Sequence, residues 1–209
     1  MSQKVFPSVM VKSQKELDQM LSNLHGVAKY LHLDVADGKF VPSRSLWFPF
    51  KLSTKFKYIA HLMVENPIAW IRKHGKKVEF CVVQAETVNI SNYIRKIKLL
   101  NKKVAFALKP ETRVGKIKNY LKDIDYVLIL TVHPGFYGKK YLQYPLKKIA
   151  EIKKMNPKVK VIVDGGMNYL TVKDAAKAGA DYIISGSFIT KAENPKERMR
   201  EMEKGFSGK

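Results

Sequence analysis

Cysteine is almost absent from the 209 residues: the single thiol, Cys81, excludes an internal disulfide and a cysteine-rich zinc site, and it fits a reducing compartment. Its plainest role is a small apolar side chain on a buried strand. Long apolar runs are missing as well. No stretch approaches about 18 uncharged apolar residues, and the opening MSQKVFPSVMVK contains no apolar run of signal-peptide length, so a soluble, unexported, cytoplasmic protein with no membrane partner is expected. Acidic residues are scarce too, with 18 Asp and Glu against 39 Lys and Arg, for a net charge of +21. Such an excess draws polyanions at low salt. Only six of the cations are arginine, the residue suited to bidentate phosphate and base contacts, and the lysines are spread along amphipathic segments. Nucleic acid is therefore expected to bind nonspecifically if at all.

What is present is a hydrophobic fraction of 45%, enough for one sizeable core, and the chain length suits a single domain over residues 1–209. Short apolar runs rich in β-branched residues occur at 5–10, 30–35, 58–64, 78–85, 103–109, 126–132, 160–164 and 181–185, giving eight strand candidates. Helical patterns follow most of them. Ser13 and Glu16 have capping-box spacing, Leu17, Met20, Leu21 and Leu24 share a face, and Gly26 suits a stop. Leu142, Leu146, Ile149 and Ile152 recur at helical spacing, and Asn194 and Pro195 open a helix expected to end near Gly205. Residues 40–57 are broken by prolines and aromatics and predict a long loop, with at most a short helix, beside the site. Eight strands alternating with helices predict an α/β fold, a closed parallel (β/α)₈ TIM barrel, with an open doubly wound sheet as the alternative.

Barrel chemistry lies at the C-terminal ends of strands, where four residues stand out: His32 and Asp34, His61, and Asp164. Alternation along a strand puts His32 and Asp34 on one face, toward the barrel axis, where unpaired polar groups cost several kcal/mol. A single histidine on an apolar strand is most often a hydrogen-bonded core residue. Two imidazoles and two carboxylates together form an N/O set suited to a divalent metal: Zn²⁺, Fe²⁺, Mn²⁺ or Co²⁺. Glycines mark a second feature, VDGG at 163–166 and SGS at 185–187, in the two loops that commonly hold phosphate in barrels.

Nearly end to end, the chain resembles the ribulose-phosphate 3-epimerases, the pentose-5-phosphate 3-epimerase family. FPSVM, LHLDVADGKFVP, HLMVENP, ALKPET, TVHPGFYGKKYL, VIVDGGMN and AGADYIISGSFI are similar to its successive motifs in the same order. The resemblance implies a metal-dependent isomerase of the pentose phosphate pathway, interconverting D-ribulose 5-phosphate and D-xylulose 5-phosphate through a metal-stabilised enediolate. It assigns His32, Asp34, His61 and Asp164 to the metal, and Ser8 and His61 to substrate. Gly135, Phe136, Tyr137 and Gly138, with Gly165, Gly166, Gly186 and Ser187, are assigned to the phosphate end. Inversion at C3 needs a proton group on each face, and Asp34 and Asp164 are the expected catalytic pair, exchanging base and acid roles with direction. The resemblance also implies a homo-oligomer.

Several positions depart from the family. Ala36 and Leu130 stand where methionines are usual, which predicts a pocket roomier on one side and drier on the other. Gln84 occupies a position usually held by histidine and puts a contact behind the ligands in question. Tyr137 replaces a glycine in the loop after the sixth strand, and Lys139 replaces a glutamine, adding a cation that could contact the phosphate. His25 and His74 read as surface histidines, His133 as uninformative, and Trp47 and Trp70 as packing or loop anchors. Two rival functions remain: a 3-epimerase of a six-carbon ketose phosphate, if Ala36 opens space, and a non-catalytic basic barrel that binds polyanions.

Overall fold

The computed structural model describes residues 3–135 and 138–208. Phe136 and Tyr137, both expected at the substrate, lie outside the described residues. Eight strands form the barrel: β1 (Val5–Val9), β2 (Tyr30–Asp37), β3 (Lys57–Met63), β4 (Phe80–Gln84), β5 (Val104–Leu108), β6 (Tyr126–Leu130), β7 (Lys160–Asp164) and β8 (Tyr182–Ser185). Each pairs in parallel with its sequence neighbours, and β1 closes the ring by pairing with both β2 and β8. All eight expected strands are therefore found, in the closed rather than the open arrangement.

Alternation sorts the strand residues into two cores. Inward-facing Phe6, Ile59, Phe80, Val82, Leu128 and Ile162 help fill the barrel. The opposite faces pack under the helices in the main core. At the N-terminal end the interior is plugged by rings, with Phe80 stacked on Tyr126 at 4.2 Å and Phe6 on Tyr182 at 5.3 Å between centroids. With that end filled, the opposite mouth is left for a ligand.

Helix α1 (Gln14–Leu24) starts as its spacing predicts: Ser13 Oγ accepts from the backbone N–H of Glu16, and the Glu16 carboxylate accepts from that of Lys12. Gly26 follows it at φ +73°. The other helices are α2 (Pro67–His74), α3 (Ile90–Leu99), α4 (Lys147–Met155), α5 (Thr171–Lys177), α6 (Ser187–Thr190) and α7 (Pro195–Ser207). Among the described residues no helix is long and apolar enough to cross a membrane.

Two local expectations are corrected, and one is refined. Helix α7 runs through Gly205 and stops at Gly208, at φ +68°. Gly205 is there for packing, since a Cβ on it would stand 2.8 Å from Val172 Cγ1 on α5. Residues 40–57 form the expected long loop without a helix, to which Arg44–Ser45 add a short antiparallel strand against β2. His74 is half-buried, stacked on Phe50 at 4.9 Å and tilted against Trp70 at 5.0 Å, and burial pushes its pKa down. The connection from β5 to β6 is made of two tight 3₁₀ turns, Val114–Lys116 and Lys118–Asp123, in which Val114 and Ile117 bury the i, i+3 spacing that such turns share.

Candidate active site and metal centre

The register of the strands assembles the centre. Ser8 lies beside His32 across β1 and β2, and Asp34 lies beside His61 across β2 and β3. Asp164 ends β7, three strand steps around the ring from β2, so the two carboxylates approach the axis from different sides. One ligand atom from each of His32, Asp34, His61 and Asp164 lies within 4.8 Å of all the others. The imidazole rings are fully buried, while Asp34 and Asp164 retain 8% and 16% side-chain exposure toward the mouth.

Distances within the group are too long, or the atoms too poorly aligned, for the four side chains to satisfy one another. His32 Nε2 is 3.3 Å from Asp34 Oδ1 and 3.8 Å from Asp164 Oδ2, and His61 Nδ1 is 3.7 Å from both carboxylates. Both nitrogens of His32 and Nδ1 of His61 make no hydrogen bond. Leaving one buried polar atom bare costs about 1–3 kcal/mol, so three around two carboxylates fit a centre built to receive a cation.

The electrostatics agree. Burial pushes Asp34 up, but the His32 and His61 imidazoles outweigh it and hold the carboxyl well below the usual range. Burial pushes His61 down, and Asp164 and Asp34 outweigh it, lifting the imidazole to about 9. The two carboxylates thus attract a positive charge, which either a proton or a metal ion can supply.

Above the centre opens a cavity of about 450 Å³. Ser8, Asp34, His61, Gly135, Gly138, Lys139, Asp164, Gly165, Gly166, Gly186 and Ser187, all expected near substrate or phosphate, line it. His32 supports the centre from beneath. Gly165 has φ +116°, and a Cβ there would stand 2.6 Å from Val132 Cγ2. Gly166 has φ +68° and faces Tyr141 Cβ at 3.1 Å. Only glycine lets this turn lie so close to the loop after β6.

Ala36 does not line the cavity: it is fully buried and clusters with Val41, Met63 and Phe40. Leu130, the other methionine replacement, does line it. Gln84 keeps a contact behind the centre, its Nε2 2.8 Å from His61 Nε2.

Sequence reasoning missed several contributors. Met10, Met63 and Met167 supply apolar wall, and Asn168 and Phe188 stand near the glycines. Asp37, the second acidic residue of DVADG, accepts backbone N–H bonds from Lys39, Phe40 and Glu65, so it ties the loop after β2 to the loop after β3. An aspartate followed by glycine after a strand was a usable turn signal for it.

Fold and site together define a (β/α)₈-barrel enzyme with a His/Asp centre at its mouth. The sequence profile described as the Ribulose-phosphate 3 epimerase family matches residues 4–190. Ribulose-phosphate 3-epimerase from Mycobacterium tuberculosis is 30% identical over 201 residues, covering 91% of this chain and 87% of that protein. The Methanocaldococcus jannaschii protein of the same name is 34% identical over 169 residues, covering 77% and 72%. Among solved structures, 3-keto-L-gulonate-6-phosphate decarboxylase from Vibrio cholerae superposes with a TM-score of 0.71 at 9% identity, covering 100% and 99% of the two chains. 3-Hexulose-6-phosphate synthase from Salmonella typhimurium gives 0.69 at 15%, covering 98% and 99%; these two likenesses establish the fold. The chain belongs to the ribulose-phosphate 3-epimerase family, whose members are isomerases acting on carbohydrates.

Proposed function

We propose that the protein interconverts D-ribulose 5-phosphate and D-xylulose 5-phosphate by moving protons at C3. The observation that carries this reading is the placement of Asp34 and Asp164 on separated strands, both facing one cavity across the paired imidazoles. His32, Asp34, His61 and Asp164 would hold a divalent ion, Zn²⁺, Fe²⁺, Mn²⁺ or Co²⁺, which when bound supplies Lewis-acid stabilisation of negative charge on substrate oxygens.

Asp34 takes the C3 proton from one face, leaving an enediolate, and Asp164 returns a proton to the other face; the reverse reaction exchanges the roles. Met10, Met63, Leu130 and Met167 keep water from this intermediate. The backbone N–H groups around Gly165, Gly166, Gly186 and Ser187 suit the phosphate, with Ser8 toward the sugar. The burial of Ala36 away from the cavity wall supports the five-carbon substrate over a longer one. The proposal extends to a single-domain cytoplasmic protein and, as the family resemblance implies, to a homo-oligomer.

The test is turnover of ribulose 5-phosphate by wild type, Asp34→Asn and Asp164→Asn, before and after chelation. Each substitution is expected to lower kcat by about 10²–10⁴-fold. Full activity in either variant would remove that carboxylate from the reaction, and full activity after complete chelation would remove the metal.

Lys139, on the cavity wall, is assigned to the phosphate. Lys139→Gln should weaken binding of a phosphorylated substrate analogue by about 5–10-fold, a typical effect for one charge-assisted hydrogen bond. Equal loss for the unphosphorylated sugar would count against the assignment.

A further inference from the structure

His61 presents Nδ1 to the two carboxylates and Nε2 to Gln84. Gln84 is the last residue of β4, has no exposed surface, and shares the inward face with Phe80 and Val82. Its Nε2 is 2.8 Å from His61 Nε2, while its Oε1, also buried, has no partner. In that orientation the amide N–H donates to a bare His61 Nε2, and a neutral ring then carries its proton on Nδ1, the atom facing Asp34 and Asp164. A half-turn of the carboxamide exchanges two groups of nearly equal size and sets Oε1 against the ring. The ring proton then resides on Nε2, and the Nδ1 lone pair is free.

We propose that Gln84 is the positioning residue of the metal centre, accepting a hydrogen bond from His61 Nε2–H through Oε1 and so keeping Nδ1 bare for a cation. The proposal rests on the cation site argued above. Its physical basis is that an imidazole binds a metal through an unprotonated nitrogen, and a buried acceptor on the other nitrogen selects that tautomer and fixes the ring's direction. Phe80 and Val82 are apolar, so among the inward side chains of β4 the carboxamide is the group able to do this. It adds no charge to a centre that already holds two carboxylates.

The experiment is a calorimetric Zn²⁺ titration of the chelated full-length protein, comparing wild type with Gln84→Leu and Gln84→Glu. It is joined to long-range ¹H–¹⁵N spectra of the imidazoles in Zn²⁺-loaded wild type. Gln84→Leu removes the acceptor and should weaken Zn²⁺ by about 10–100-fold while the chelated protein remains folded, with a melting temperature below that of wild type. Gln84→Glu retains an acceptor and should restore most of the affinity. The loaded wild-type spectrum should show His61 protonated at Nε2 and bare at Nδ1. A proton on Nδ1 in the loaded protein, unchanged affinity in Gln84→Leu, or a Gln84→Glu variant as weak as Gln84→Leu would overturn the role. If Gln84→Leu fails to fold, the wild-type spectrum decides. Failure of Zn²⁺ to bind wild type would instead overturn the cation site itself.

Discussion

At His61, a proton and the metal ion of the proposed site would compete for the same place. The imidazole is raised to about 9 from an ordinary 6.5, so at neutral pH the metal-free centre carries a proton there. Cation affinity should rise with pH and level off above about 9, and binding at pH 7 should release about one proton. Calorimetry in buffers of different ionisation enthalpy measures that number; a release of zero would mean that His61 is not displaced. The same shift has a sign for stability. In the chelated protein its contribution is fully present below 6.5 and is lost as the pH rises through about 9, whereas metal-loaded protein should lack this loss. The identities of His32, Asp34, His61 and Asp164 were legible because alternation places His32 and Asp34 on one face and the strand ends were plain. Gln84's contact was not, because register across β3 and β4 brings it to His61 from 23 residues away.

Between β6 and β7 the decisive element is the pair of loops at their C-terminal ends. Thr131 Oγ1 lies 2.6 Å from the carbonyl of Gly165 and 3.0 Å from that of Asp164, and the Gly165 turn presses on Val132. Gly165→Ala meets both a positive φ and a contact at 2.6 Å, and should cost about 2–4 kcal/mol in urea unfolding. Adding Val132→Ala should recover only part of this, since the Val132 backbone nitrogen at 3.0 Å and the strained φ remain. Full recovery would show that the side-chain clash is the whole effect. Helix α1 was readable to its cap because capping and periodicity are local. The far end of α7 was misread because Gly205 resembles a stop in sequence, whereas its reason is the approach of α5.

Across the whole molecule, topology concentrates a charge that the sequence shows as dispersed. Residues 89–160 hold 18 of the 39 Lys and Arg but only 4 of the 18 Asp and Glu. Their helix α3, 3₁₀ turns and helix α4 pack side by side along one flank of the barrel. Some of these lysines are paired, Lys103 with Asp125 at 3.1 Å and Lys160 with Asp181 at 2.9 Å. The flank should hold a generic RNA at low salt and release it at roughly 150 mM, where the Debye length is about 8 Å. Filter binding checks this, and tight binding that survives at the higher salt would revive the polyanion-binding function.

Local rules carried the sequence a long way: short apolar runs rich in β-branched residues named eight strands, alternation set the inward face of the second, helical spacing named most of the connections, and glycine pairs marked the turns at the mouth. These features depend on neighbours a few residues apart. Only the tertiary structure decided that the sheet closes, that Ala36 is buried with Val41, Met63 and Phe40 away from the cavity wall, that His74 lies between aromatic rings, and that Gln84 stands behind His61. Each of those is a contact between segments far apart in the chain, set by strand register and by how side chains fill volume, and neither is encoded in any one local pattern.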